Sequence, residues 1–211
     1  MTELEAVNII LATIGEAAVS SLSDDTDEIN EITDSGMAQR TLHEVSRDVQ
    51  SEAWSWNTDE NVKIHPTAQN TYVVPGNTLT VNFSPNRYPN TQYVMRGLRV
   101  YDRDSQRYDF GSVNGGEPIC AAKVVSELPW EDLPHAAQQY ITIRSARIFS
   151  DRYVASSVVF TYTVADEDQA RTMLIRSEEN TLNNNLLWGN DRGMAQGIGY
   201  IPAGGTRYRI R

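Results

Sequence analysis

Three stretches of the sequence resemble ligand-binding motifs, and each departs from its motif at a required position. Asp102 and Asp104 have the spacing of the first two ligands of a calcium-binding loop. That loop needs glycine at its sixth position and glutamate at its twelfth, and this chain has Arg107 and Val113 there. The stretch therefore favours a solvated turn over a calcium site.

Zinc and phosphate sites are equally poorly supported. His43, His65 and His135 lie far apart in the sequence, and none has a second histidine at a spacing typical of zinc ligands. The glycine-rich segment 193–202, GMAQGIGYIP, lacks both the Gly-Lys-Ser/Thr sequence and the following helix that directs backbone amides at a phosphate. We expect no metal and no cofactor.

Catalytic chemistry is restricted to what carboxylates can do. The chain has no Gly-x-Ser-x-Gly sequence, and its single cysteine, Cys120, has no recognisable partner motif. A glycosidase needs only two carboxylates at a set separation, and aromatic side chains could form a sugar platform, although core packing is their commoner role. A carbohydrate-binding or glycan-hydrolysing protein therefore stays open as the alternative. The aromatic candidates are Trp54, Trp56, Tyr72, Phe83, Tyr88, Tyr93, Tyr101 and Tyr108.

The composition indicates a globular protein that does not bind free nucleic acid. Of 211 residues, 40% are hydrophobic, which is enough to form a core, and the formal net charge is −10. A free nucleic-acid binder would need a basic surface to displace counterions from phosphate. The N-terminus lacks the positive start of a signal peptide, and no apolar run approaches the roughly 20 residues of a membrane span. We expect neither export by that route nor a membrane location.

Helical periodicity is clearest near the N-terminus. Thr2 and Glu5 have the spacing of a capping box, and the apolar period that follows runs to Gly15, a C-terminal cap. From Gly36 to Trp56 the apolar residues recur every three or four positions, which predicts one amphipathic helix with a buried stripe. That stripe consists of Ala38, Leu42, Val45, Val49, Ala53 and Trp56.

The period changes to two from Val62 onward, which indicates strands. Residues 72–74 and 79–83 are separated by Pro75-Gly76-Asn77, which predicts a hairpin between them. Further strands are expected at 92–96, 98–101 and 119–125. About five strands would make a small antiparallel β domain.

Helices return after Pro129, one through about Tyr153 and a last one between about Thr163 and Asn183. In the last helix we expect Ala170, Met173, Leu174 and Leu182 to face inward. The predicted fold class is α+β, with a helical bundle built from both ends of the chain, 1–60 and 129–188. A small antiparallel β domain, 61–128, is inserted between them, and an extended C-terminal arm, 189–211, follows.

The order of several short segments resembles the tail tubular protein A family, the head-to-tail adaptors of short-tailed bacteriophages. Residues 4–16, LEAVNIILATIGE, resemble the opening of that family. In the same order come 53–57, AWSWN, the strand pair 93–103, and a helix opened by Leu133-Pro134. The resemblance covers roughly residues 4 to 180. The chain departs from the family where Ala53 replaces a glycine, Trp56 replaces a phenylalanine and Ala17-Ala18 lacks a proline.

This resemblance implies a non-enzymatic structural protein that forms a dodecameric ring between the portal and the tail nozzle. Genomic DNA would pass through the ring without specific binding, and a tail fibre is a further candidate partner. The protein would be made in the host cytoplasm and located in the virion tail, at the head–tail interface. Sixteen arginines against two lysines suit ring interfaces, because guanidinium groups make bidentate contacts with carboxylates. A generic α+β binding module is the third possibility.

The C-terminal arm is the candidate contact segment. Six glycines and no apolar period prevent residues 189–211 from forming their own core, yet the segment carries large apolar and basic side chains. We predict that it orders on assembly as an extended arm against a neighbouring subunit or the portal; a terminus with chance aromatics is the alternative. The predicted contact residues are Tyr200, Ile201, Arg207, Tyr208, Arg209, Ile210 and Arg211.

Overall fold

The computed structural model describes residues 1–22, 33–84, 92–110, 117–153 and 163–182. Within these ranges the chain forms four α-helices, five β-strands and two short 3₁₀ helices, so the fold is α+β. The helices are α1 (Glu3–Thr13), α2 (Asp34–Gln50), α3 (His135–Tyr153) and α4 (Val164–Leu182). The strands are β1 (Thr58–Ile64), β2 (Thr78–Asn82), β3 (Tyr93–Arg96), β4 (Arg99–Asp102) and β5 (Ile119–Ser126), and the 3₁₀ helices are Ser55–Asn57 and Trp130–Asp132.

Helix α1 has the caps that the sequence predicts. The Glu5 amide donates to Oγ1 of Thr2 at 3.1 Å, and the Thr2 amide donates to Oε2 of Glu5 at 2.8 Å. Together these two bonds satisfy N–H groups that have no partner inside the helix. Beyond the last turn, Gly15 adopts a φ of +81°, a conformation that glycine reaches without steric cost.

Helix α2 ends earlier than predicted. It stops at Gln50, and Ala53 lies exposed in the left-handed region with a φ of +65°. A residue in that conformation cannot continue a right-handed helix, so the single helix predicted through Trp56 is wrong, and Ala53 does not belong to the buried stripe. The first four residues of the stripe, Ala38, Leu42, Val45 and Val49, are buried as predicted.

The four helices share one hydrophobic cluster. Helix α3 contacts each of the other three helices, and Tyr140, Ile141 and Phe149 are almost fully buried along its length. From α4, Ala170 and Leu174 enter this cluster. Met173 does not, because 49% of it is exposed, which contradicts the predicted inward orientation; the side chain of Leu182 lies outside the described part.

The strands form two antiparallel sheets. One has the order β1-β5-β2, and the other pairs β3 with β4. The predicted hairpin between residues 72–74 and 79–83 is wrong: β2 pairs with β5, whereas Val73 bridges to Arg99 of β4. The segment before the Pro-Gly-Asn turn thus extends the smaller sheet, and the segment after it extends the larger one.

A second hydrophobic cluster lies among the strands. Tyr72 is 1% exposed, and its ring meets that of Phe110 edge to face at 4.9 Å between centroids. Phe110 in turn contacts Tyr93, and Tyr93 contacts Phe83. The Tyr72 hydroxyl donates to the backbone carbonyl of Glu117 at 2.6 Å, so its polar end is satisfied as burial requires.

Candidate functional site

The arm residues predicted to make contacts all lie outside the described residues. They are Tyr200, Ile201, Arg207, Tyr208, Arg209, Ile210 and Arg211, and the described part of the chain ends at Leu182. Their contacts therefore remain a prediction.

The stretch that resembles a calcium loop is a turn held by its own carboxylates. Asp102 Oδ1 accepts the Asp104 amide at 2.9 Å, and Asp102 Oδ2 accepts the Ser105 hydroxyl at 2.6 Å. Burial alone would raise the pKa of Asp102, but these donations outweigh it and lower the pKa below its usual value. Asp104 Oδ2 accepts the Gln92 amide at 3.1 Å, so both carboxylates stabilise the turn.

The histidines are not brought together. His43 Nε2 lies 2.7 Å from Glu3 Oε1, where it links α2 to α1. His65 and His135 are exposed at other places in the fold. In the described ranges no group of three or more histidine, cysteine, aspartate or glutamate residues could hold a metal ion. The side chain of Cys120 is buried, and as the single cysteine of the chain it forms no intrachain disulfide.

The aromatic candidates are divided between the two hydrophobic clusters. Trp54 and Trp56 stack with their ring centroids 6.4 Å apart and pack against the helical cluster. Tyr72, Phe83 and Tyr93 belong to the β cluster or pack against it. A further pair joins Tyr101 of β4 to Tyr108 in the segment after it, and Arg96 of β3 covers the Tyr101 ring. Tyr88 is outside the described residues. No single sugar platform is formed by the described members of this set.

What the structure does bring together is a set of arginine–carboxylate contacts that ties the helices to one another. Arg171 of α4 donates to both oxygens of Glu52, at 3.0 and 2.8 Å, and to the Tyr140 hydroxyl at 3.1 Å. The same hydroxyl accepts a bond from Arg144 at 2.9 Å. The hydrogen bonds with Glu52 and Tyr140 raise the pKa of Arg171 further above its already high value, so this cation is permanent.

Two more arginines belong to this set. Arg147 of α3 contacts Glu167 of α4 and, at 3.0 Å, Asp151 of its own helix. Arg152 makes a bidentate contact with Glu44 of α2, at 2.9 and 3.1 Å. The hydrogen bond with Arg152 lowers the pKa of Glu44. The excess of arginine over lysine thus serves contacts within the subunit, whereas the composition by itself suggested only contacts between subunits.

The junction between the helices and strands is held by two buried side-chain amides, those of Gln50 and Asn57. Gln50, at the end of α2, is 1% exposed. Its Oε1 accepts the Leu128 amide at 2.7 Å, and its Nε2 donates to the Leu128 carbonyl at 3.1 Å. Nearby, Asn57 Nδ2 donates to the backbone carbonyls of Gln50 and Ser126, at 2.7 and 3.1 Å. These bonds join the segment before β1 to the segment at the end of β5.

An open groove of about 370 Å³ lies between α1, α3 and α4. Its lining is mainly apolar, and its polar groups come from α3 and α4. The apolar part consists of Met1, Ile9, Ile143, Ala170 and Met173. The sequence carries only one signal for this groove, which is that Met173 fits the apolar period of α4 although it does not enter the core.

Most of the chain matches one family of known proteins. None of the described helices is both long and apolar enough to cross a membrane. The model of the tail tubular protein family matches residues 4–184. Tail tubular protein A of Klebsiella phage KP34 is 27% identical over 177 residues, which cover 83% of this chain and 86% of that protein. The chain therefore belongs to the tail tubular protein family and is a structural component of a bacteriophage tail.

Proposed function

We propose that the protein is a head-to-tail adaptor whose subunits form a dodecameric ring between the portal and the tail nozzle. The match to the tail tubular protein family over residues 4–184 carries this proposal. The shared length includes both hydrophobic clusters and the junction between them, so the likeness extends over the whole described fold. The role is structural, and the protein acts at the head–tail interface of the virion after its synthesis in the host cytoplasm.

We divide the subunit into two domains. Residues 1–60 and 129–188 form a helical domain, and 61–128 form an inserted β domain. This division is supported by the two hydrophobic clusters, because the first draws its members from residues 6–49 and 130–174 and the second from 64–124. The arginine–carboxylate contacts described above stiffen the helical part, and a stiff subunit keeps its interfaces in register when many copies close into a ring.

The charge of the subunit fits a passage for DNA. A formal net charge of −10 repels phosphate, so an acidic wall lets DNA slide past without sticking. Arginines of the arm, Arg207, Arg209 and Arg211, provide the complementary charge for contact with an acidic partner. We assign these contacts to the portal or a neighbouring subunit, and further contacts to the nozzle and a tail fibre.

The test is the size of the assembly, alone and with portal. Purified protein should give a closed ring by negative-stain microscopy and a twelve-subunit mass by native mass spectrometry, either free or on the portal. A matched control is the same protein mixed with an unrelated ring of similar size, on which it should not dock. A chain that stays monomeric and ignores the portal would exclude the adaptor role. Turnover of a host glycan that disappears on carboxylate-to-amide substitution would instead establish the glycan-hydrolysing alternative.

A further inference from the structure

The groove between α1, α3 and α4 has the features of a docking site for a peptide. Its volume of about 370 Å³ lies at the lower end of the range of roughly 300–1,000 Å³ found for ligand pockets. Met173 leaves 49% of its surface exposed beside the groove, and Ile9 and Ile143 are half-buried along it. Methionine adapts its shape to different partners, so this lining can receive large apolar side chains.

The rim of the groove is acidic on the α4 side. Asp166 lines it and is exposed. The Thr163 amide and hydroxyl donate to Asp166 Oδ2 at 2.8 and 2.7 Å, and these bonds lower the pKa of Asp166. The Asp166 carboxylate is therefore ionised at neutral pH. An occupant with alternating apolar and basic side chains would match both the lining and the rim.

The last five residues of this chain have that pattern. Arg207, Tyr208, Arg209, Ile210 and Arg211 alternate strictly between basic and apolar. In an extended segment, successive side chains point to opposite sides. Tyr208 and Ile210 would therefore share one side and the three arginines the other. The segment can bury two large side chains in the groove while its guanidinium groups stay at the surface near Asp166.

The length of the intervening chain favours a neighbouring copy over the same subunit. Along α4 the distance from Met173 to Leu182 is roughly 14 Å. From Leu182 to Tyr208 there are 26 residues, which span roughly 85 Å when extended. This length is far more than a return to the same groove needs, and it is long enough to reach a neighbouring subunit. Contacts between two different surfaces of identical subunits are the kind that close rings.

We propose that the groove receives residues 207–211 of a neighbouring copy, with Tyr208 and Ile210 against its apolar lining and the arginines beside Asp166. This proposal rests on the adaptor ring described above, and it names the surface that the arm contacts. The arm of each subunit would then link it to the next one around the ring.

Disulfide trapping tests the proposal in the full-length chain. Cys120 is the sole cysteine, so a Cys120→Ala background allows one new pair, Met173→Cys with Tyr208→Cys, to be oxidised selectively. A ladder of covalent dimers and larger species on a non-reducing gel, lost on reduction, is the expected result. The matched control replaces Met173→Cys by Asp59→Cys on exposed β1, and it should stay monomeric on the same gel.

Each outcome decides a different point when assembly size is measured on the same samples. Only intrachain cross-links, or rings without cross-links, would overturn the proposed docking while the adaptor role stands. Absence of both rings and cross-links would overturn both. Cross-linked chains without closed rings would support the docking and count against the adaptor role. As a second variant, full-length Met173→Glu should lose assembly at concentrations where Met173→Leu retains it; equal assembly would contradict the proposal.

Discussion

Replacement of Gln50 by leucine should cost more stability than any change of similar size on the surface. The leucine side chain is close in volume but has no polar atoms. It would leave the Leu128 amide and carbonyl, now bonded at 2.7 and 3.1 Å, without their partner. The Ser46 hydroxyl, 3.1 Å from Gln50 Nε2, would lose a bond as well. Because Gln50 is 1% exposed, water has little access with which to replace these bonds.

The magnitude follows from the number of groups left without a partner. A buried donor or acceptor without a partner costs about 1–3 kcal/mol. The two Leu128 groups are partly buried, so we place the total for Gln50→Leu near 3 kcal/mol. In a protein of this size, 1 kcal/mol shifts the melting temperature by about 2–4 °C. The expected loss is therefore about 6–12 °C.

Thermal and urea unfolding, followed by circular dichroism, measure this loss. The control is Gln39→Leu in the same helix. Gln39 makes one accessible bond, to Glu3 Oε1 at 2.9 Å, so its loss should stay below about 1 kcal/mol. If the Gln50→Leu variant has the melting temperature of the parent protein, or if the two variants lose equal stability, the Gln50 amide does not hold the junction.

A second variant at this position gives a pH signature. In Gln50→Glu a protonated carboxyl can still donate to the Leu128 carbonyl, whereas the ionised form cannot and is buried. Both effects raise the folded-state pKa of the new carboxyl above its unfolded value of about 4.3. Its stabilising contribution is therefore complete below about pH 4 and is lost as the pH rises through the folded-state pKa. The deficit relative to the parent protein should widen from pH 4 to pH 7; a constant deficit would contradict this account.

Four further outcomes are expected. Ala53→Gly should raise stability by about 0.5–1 kcal/mol in urea unfolding, since the φ of +65° suits glycine; a loss would show that this conformation is not strained. A double-mutant cycle with Arg171→Met and Glu52→Gln should give a coupling of about 1 kcal/mol or less, because the side chains are 38% and 34% exposed. Deletion of residues 197–211 should leave the melting temperature nearly unchanged but weaken attachment to the portal in a sedimentation assay. If the truncated protein attaches as well as the full-length chain, the proposed contact role of the arm is wrong. In fluorescence anisotropy at physiological salt, the isolated protein should bind DNA more weakly than about micromolar; tighter binding would contradict the acidic-wall argument.

Local signals in the sequence predict the structure well, and signals that depend on distant partners do not. The capping box of Thr2 and Glu5 is complete within four residues, and it was predicted correctly. The end of α2 was missed because the apolar period continues through Ala53 and Trp56 and no glycine marks the break. That apolar period reports which residues avoid water, but it does not report where the backbone leaves the helix.

Strand pairing and the groove show the same limit. Residues 72–74 and β2 are separated by a good turn sequence, yet β2 pairs with β5, whose residues lie about 40 positions further along. Met173 has the spacing of a core residue, and its exposure depends on how far α1 and α3 extend over α4. The sequence suggests which arm residues to propose as contacts, but it does not reveal the groove that we propose for them, because the groove exists only after three helices have packed.

The clamp formed by Gln50 and Asn57 has a consequence for how such proteins diverge. The same few hydrogen bonds join the end of α2 to Ser126 and Leu128, where the strands end. They therefore hold together the two ends of the β excursion, which is the inserted segment between Asn57 and Ser126. A lineage can therefore lengthen, shorten or exchange that excursion without moving the helices.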